Sequence, residues 1–494
     1  MDHIPDTLIV GTCVLVIFYI INKFRNRKFN EPPLVHYKYP IIGHTWDYCA
    51  DVENFFLKCR KEYGEIFSIY VHGSIMTVVG KELCHEVFNS KDASFKVAFE
   101  DKIPVARILG LPLNYMTFTA EIAKCVFNDQ MLSFLEKTQR TLYREVNASI
   151  GECEEPKIIH NLRPVIFSIV SKVVTNILVG DKLFQDKELV NIFASFSNEL
   201  YKLLHVPEYL GFIHPWIFRQ SLILRFRFGG RKVKKLHKTV IEKIKPEIEE
   251  RLRQEREYGN SWKPPVDCIQ FLLDQPGVDK KNVDYVWISG QLLAATFASM
   301  STTTSSVTNF LLDFASRPEY WDDLLEEQET FNPNDKFDNL DQISKMEKLD
   351  SFLREVFRLS GNIFSLVHRV TGPELKFSNG YQLPRGSDVG IYLKNVHHDS
   401  ERYGPDPDEF DGYRYLGKNS PASKVSRDFL HFGMGRHACP GRNFAINEIK
   451  MLCGILIKKY KITIKSKKRP PNILFGGVAF TNPEPLIFEN RVKA

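Results

Sequence analysis

The stretch that most constrains this chain is HFGMGRHACPGRNFAINEIK, His431 to Lys450. Glycines at 433, 435 and 441 surround Cys439, Arg436 and His437 stand beside it, and a helical pattern begins at about Arg442. Glycine lets a backbone bend where other residues cannot, and lets a bulky flat ligand approach the chain. The N–H groups of such a loop, with the N-terminus of the next helix, stabilise negative charge on a sulfur placed there. A cysteine buried only for packing needs none of this company. A thiolate that must hold a metal does.

The rest of the composition excludes several classes. Of 494 residues, 66 are basic and 60 acidic, and a net charge of +6 is too mild to argue for nucleic acid. The cysteines are Cys13, Cys49, Cys59, Cys84, Cys125, Cys153, Cys268, Cys439 and Cys453. Their number is odd, their spacing wide, and no CxxC pair occurs, which argues against a zinc site or a secreted disulfide framework. The 37 phenylalanines and 19 tyrosines suit apolar ligands or plain packing alike.

Thr7 to Asn22 carries no charged residue; Asp2 and Asp6 precede it, and Lys23, Arg25, Arg27 and Lys28 follow. That asymmetry predicts an N-terminal signal-anchor helix with its basic flank over 1–30, the tail lumenal and the body cytosolic. The proline-rich 31–44 reads as a linker and 45–494 as a single body. The tripeptide Asn147-Ala148-Ser149 is then an unused sequon on a cytosolic surface. Within the body, Gly64 to Gly80 alternates apolar and polar residues about His72-Gly73-Ser74, as a hairpin does. Helical periodicity dominates from Lys81 to about Arg369, and KVKKLHKTVIEKIKPEIEERLRQERE reads as a helix with a solvated charged face. Asn379-Gly380 marks a turn in a second β region, and NILFGGVAF and PLIFEN read as strands. The expected class is mainly α with small β-sheets.

The cysteine segment resembles the signature FxxGxRxCxG of the cytochrome P450 family. Phe432, Gly435, Cys439 and Gly441 fill four of its positions, and His437 stands in the arginine slot. The resemblance implies the P450 fold and haem b, iron protoporphyrin IX, with Cys439 as the axial iron ligand and His437 facing a propionate. Upstream, REVFRL carries Glu355 and Arg358 at i, i+3, and FDGYR carries Arg414. By resemblance these three form a buried structural network beneath the haem loop. His397, His398 and Asp399, between them, are expected to serve loop packing. The helix segment ASMSTT places Thr302 where the family handles dioxygen and delivers protons. Ser301 replaces the usual acid, and Ala298 and Ser299 are small where the helix must clear the haem. Arg369 corresponds to a frequent propionate partner. The family's tryptophan–arginine pair on an earlier helix has no match; FTAEIAKCVF occupies that region. Tyr209 to Phe218 is apolar and aromatic, and reads equally as a bilayer-dipping segment or as core.

Together the motifs resemble those of a microsomal, fungal-type haem-thiolate monooxygenase. Such an enzyme inserts one oxygen atom from O2 into a lipophilic substrate: a steroid or sterol, a terpenoid or a fatty-acid-like molecule. Its electrons come from NADPH through a separate reductase carrying FAD and FMN, with cytochrome b5 as a possible second donor and Arg436 among the docking residues. The implied protein is monomeric, single-pass in the endoplasmic reticulum membrane, and a steroid hydroxylase is the leading substrate reading. Substrate contacts are expected at Tyr115 to Thr119, Ala295 to Thr302 and Phe475-Gly476-Gly477. Loss of the acid at 301 keeps open a haem-thiolate isomerase or dehydratase acting on a peroxide without reductase. A non-catalytic, membrane-tethered haem-binding protein is the third reading.

Overall fold

The computed structural model describes residues 29–40, 42–112, 114–204, 215–333 and 336–491. The expected N-terminal anchor lies outside them. Among the described residues one helix, Leu162–Phe184, is long and apolar enough to cross a membrane, but 67% of its apolar window is buried within the protein. It is a core helix. Of the Tyr209 to Phe218 stretch, 209–214 lies outside the described residues, and Pro215 opens a helix running to Gly229.

The body is mainly helical with small sheets, as its pattern predicts. The largest sheet has five strands: β1 (Ile66–Val71), β2 (Ser74–Val79), β3 (Ala93–Ser94), β4 (Phe364–Val370) and β5 (Asp388–Tyr392), in the order β1-β2-β5-β4-β3. β1 and β2 form the expected hairpin, pairing Val71 with Ser74 across a two-residue turn. His72 and Gly73 both take positive φ there, the geometry that matches strand twist in a tight hairpin. The helical region ends earlier than its periodicity suggests, because Phe364–Val370 is a strand that pairs antiparallel with Asp388–Tyr392.

Six helices position the site: α1 (Met131–Ser149), α2 (Leu162–Phe184), α3 (Arg231–Tyr258), α4 (Tyr285–Ala315), α5 (Glu347–Ser360) and α6 (Arg442–Lys459). α4 starts where the Asp284 side chain accepts from the Trp287 N–H, an N-cap that satisfies one open donor. It runs for 31 residues and packs against α2, α5 and α6. α3 has the expected solvated charged face, but two of its charged residues lie on the other side. Glu247 and Arg251 are buried, and Arg251 grips Asp267 with two hydrogen bonds of 2.8 and 2.7 Å. Asp267 in turn accepts from the Gln270 N–H, so one carboxylate both neutralises a buried guanidinium and caps the next helix.

Candidate haem-thiolate site

The cysteine loop is built by backbone bonds that need glycine. Gly433 and Gly435 take φ of 71° and 59°, left-handed values that other side chains resist. The Cys439 N–H donates to the Phe432 carbonyl at 2.7 Å, which folds the loop back on itself and leaves the sulfur at its tip. Burial raises the Cys439 thiol pKa, while the Gly441 N–H at the sulfur and the Arg442 charge pull it down. The loop rests on α5, where Phe357 stacks on His431 at 4.1 Å and meets Phe432 edge-on.

Across the interior, α4 is buried along most of its length except for one stripe. Ala298 and Thr302, one turn apart, are exposed, and Phe297, Ser299, Ser301, Ser305 and Ser306 are half-buried. Two small exposed residues on a helix whose neighbouring turns are buried leave open space beside them. Thr302 Oγ1 donates to the Ala298 carbonyl at 3.0 Å, so its lone pairs remain available as acceptors. The same back-bonding recurs at Thr296, Ser299, Thr304 and Thr308. Ser301 Oγ accepts from Arg163 Nη2 of α2 at 3.0 Å. Where the family pattern has a carboxylate, this chain therefore has a hydroxyl held by an exposed guanidinium.

The structure brings Glu355, Arg358 and Arg414 together. Arg358 donates to both Glu355 oxygens at 2.8 and 2.6 Å, and Arg414 Nε donates to Glu355 Oε1 at 3.0 Å. The Glu355 and Arg358 side chains are both 0% exposed, so each depends on the other for its charge to be tolerated. Arg358 Nη1 also donates to the His397 carbonyl, and the His397 ring accepts from the Leu430 N–H at 2.9 Å. This fully buried histidine joins the charge network to the base of the cysteine loop. Burial, with other cationic groups nearby, holds its pKa well below the ordinary value. His398 pairs with Asp408, and Asp399 with Lys81 and Arg402, so the three residues serve packing.

Arg369, which by resemblance is a propionate partner, is part of an ion-pair cluster. Its guanidinium is clasped by Asp388 on β5, at 2.6 and 3.1 Å, and by Asp101. The neighbouring His368 takes the inward position instead, because side chains alternate along a strand. It is buried, its Nε2 has no hydrogen-bond partner, and its ring meets that of His437 at 4.9 Å. Alternation over His368–Val370, after a bulge between Ser365 and His368, sets 368 inward and 369 outward. Asn128 was missed as well: it touches the cysteine loop from Ile122–Asp129, which is a π-helix.

These residues fit a haem. Porphyrin iron brings its own nitrogen ligands, so a protein that offers a single cysteine at such a loop can hold it. A sulfur flanked by a backbone N–H and an arginine suits an anionic ligand. His368 Nδ1 donates to the Leu366 carbonyl at 2.6 Å and burial holds the ring neutral, so its orphaned Nε2 only accepts; the side chains of this loop that would donate to a propionate are Arg436 and His437.

The family model for cytochrome P450 matches residues 32–489. The chain is 26% identical to cytochrome P450 monooxygenase BOA4 of Botryotinia fuckeliana over 489 residues, 95% of this chain and 93% of that one. It is 27% identical to cytochrome P450 monooxygenase 151 of Postia placenta over 381 residues, 72% of this chain and 73% of the relative. A retinoic acid-bound cyanobacterial CYP120A1 shares the fold with a TM-score of 0.68 at 18% identity, covering 94% of this chain and all of that one. With the thiolate loop, the accessible stripe on α4 and the buried Glu-x-x-Arg pair in place, the chain belongs to the cytochrome P450 family and is a monooxygenase.

Proposed function

We propose that this monooxygenase inserts one atom of O2 into an unactivated C–H bond of a lipophilic molecule of steroid, terpenoid or fatty-acid type. The electrons come from NADPH through a separate flavoprotein reductase. The observation that carries this reading is the exposed Ala298–Thr302 stripe on an otherwise buried helix, in a chain that also presents a thiol at Cys439. Held by Cys439, the haem would supply oxygen activation, with His437 and Arg436 the side chains that would meet its carboxylates. Ala298 leaves the exposed face of α4 beside Thr302 free of side-chain bulk. Thr302 Oγ1 accepts a hydrogen bond, because its own proton is committed to the Ala298 carbonyl. Ser301 is oriented by Arg163, which is exposed, so solvent protons reach the site from that side.

For the substrate side, Thr119 Oγ1 lies 3.2 Å from Gln291 Oε1 and ties Tyr115–Glu121 to α4. The hairpin tip at Gly477 accepts from the Ile363 and Phe364 N–H groups. Its flanking Phe475 and Val478 are exposed, apolar and available to a greasy ligand. We place the body on the cytosolic face of the endoplasmic reticulum, held by residues 1–30. The exposed Trp46, Ile75 and Phe480 add an apolar rim.

The test is reconstitution with NADPH and a P450 reductase across a library of lipophiles, scored by spectral shift and product. Product that requires NADPH supports the proposal; turnover of a peroxide without it makes the protein an isomerase. Cys439→Ser should abolish both the thiolate-type absorbance of the reduced, carbon monoxide-treated protein and the oxidation. Thr302→Val should cut product formation on the order of 10²-fold.

A further inference from the structure

Asn128 lies where the π-helix Ile122–Asp129 meets the cysteine loop. Its Nδ2 donates to the Pro440 carbonyl at 2.6 Å, and its Oδ1 accepts from the Phe444 N–H at 3.1 Å. Phe444 is the third residue of α6, whose N-cap, Gly441, has no side chain to offer. Asn128 therefore satisfies, from another helix, one of the donors a helix start leaves open.

The bond to Pro440 bears on the sulfur. The Pro440 carbonyl and the Gly441 N–H belong to one planar trans peptide and point in opposite directions. With its carbonyl end held by Asn128, this peptide turns its N–H away from Asn128 toward the Cys439 side, and the N–H lowers the thiol's pKa against the effect of burial. Asn128 holds the other end of that same dipole.

The π-helix makes this reach possible. A Cβ at Gly441 would lie 3.7 Å from Ala123 Cβ, so Ala123 and Asn128 both face the loop although they are five residues apart. Pairing of i with i+5 sets such residues on one side, whereas in an α-helix they diverge by about 140°. Phe127 stacks on Phe444 at 4.7 Å and locks the two helices in this register.

We infer that Asn128 is a positioning residue for the Cys439 thiolate: by holding the Pro440 carbonyl it aims the Gly441 N–H at the sulfur and so limits how strongly the sulfur donates to iron. The inference rests on Cys439 being the haem ligand. Loss of the thiolate-type spectrum in Cys439→Ser tests that premise separately.

The experiment uses the full-length, haem-loaded protein, reading its reduction potential and the Fe–S stretching frequency in resonance Raman spectra. Asn128→Ala and Asn128→Asp both remove the donor to Pro440. Asp keeps an acceptor for Phe444 and places negative charge at a helix N-terminus, which favours folding. In both, the potential shifts negative and the Fe–S frequency rises. Asn447→Ala removes a nearby contact between α6 and the start of α1, the helix that follows the π-helix, Asn447 Nδ2 to Met131 Sδ at 3.1 Å, and should lower thermal stability without moving either readout. Wild-type potential and frequency in both Asn128 variants overturn the inference, as does an equal shift in Asn447→Ala. If Asn128→Ala does not load haem, an unchanged Fe–S frequency in Asn128→Asp overturns it alone.

Discussion

Glu448 shows how a single buried group can shape the behaviour of the whole protein with pH. It is fully buried on α6, both carboxyl oxygens are without partners, and burial pushes its pKa to about 8. A pKa raised on folding means that its contribution is complete below the ordinary 4.5 and is lost as pH climbs through about 8. His397 and His431 act in the opposite sense. Burial holds both neutral, with His431 near 4, so stability falls as pH drops below the ordinary 6.5. Glu448→Gln should therefore flatten the alkaline arm of a thermal-midpoint profile and leave the acid arm unchanged. An alkaline arm as steep as the wild type's would show that Glu448 is not the group responsible. Residue-level chemistry was legible in the sequence for Cys439, whose glycines and basic neighbours are contiguous with it. It was not legible for His368, Asn128 or Arg163. Each matters through a partner more than 60 residues away: His437, Pro440 and Ser301 respectively.

At the scale of elements, α5 and the FDGYR segment are joined by one buried charge network. Arg414→Ala leaves Glu355 short of a cation and should destabilise the protein by ~3–5 kcal/mol, measured by denaturant unfolding. A loss below about 1 kcal/mol would mean that Arg358 alone neutralises the carboxylate. α4 allows a sharper test. Arg163 is exposed, so Arg163→Ala should change folding stability by less than about 0.5 kcal/mol. It should nevertheless lower the product formed per NADPH consumed and raise the hydrogen peroxide released, because Ser301 is no longer oriented. Unchanged coupling would exclude Arg163 from proton delivery. The pattern of α4 told less than its surroundings: a run of Ser and Thr bonding to its own carbonyls is what the sequence describes. Only the packing of α2, α5 and α6 around it reveals that Ala298 and Thr302 are the positions left open.

For the whole molecule, the apolar rim gives a prediction independent of the anchor. Protein lacking residues 1–28 should still partition onto lipid vesicles, and replacing Trp46 and Ile75 by serine should reduce the bound fraction several-fold. Trp46 is 68% exposed and Ile75 52%, so neither is needed by the core. Retention of full binding by the double variant would remove this face from membrane contact. The amino-acid order by itself determined the glycine-rich bend around Cys439, the hairpin at His72-Gly73 and the mainly helical class, local patterns written in glycine positions, alternation and helical periodicity. The Glu-x-x-Arg pair was legible only through its resemblance to the family, since an i, i+3 pair is common on any helix. Tertiary structure alone decided that Arg369 turns to Asp388 and Asp101, that His368 meets His437, and that a π-helix brings Asn128 to the Pro440 carbonyl. Those outcomes depend on which surfaces meet when distant segments pack, and a hydrogen bond between residues 312 positions apart leaves no periodicity in the chain to read.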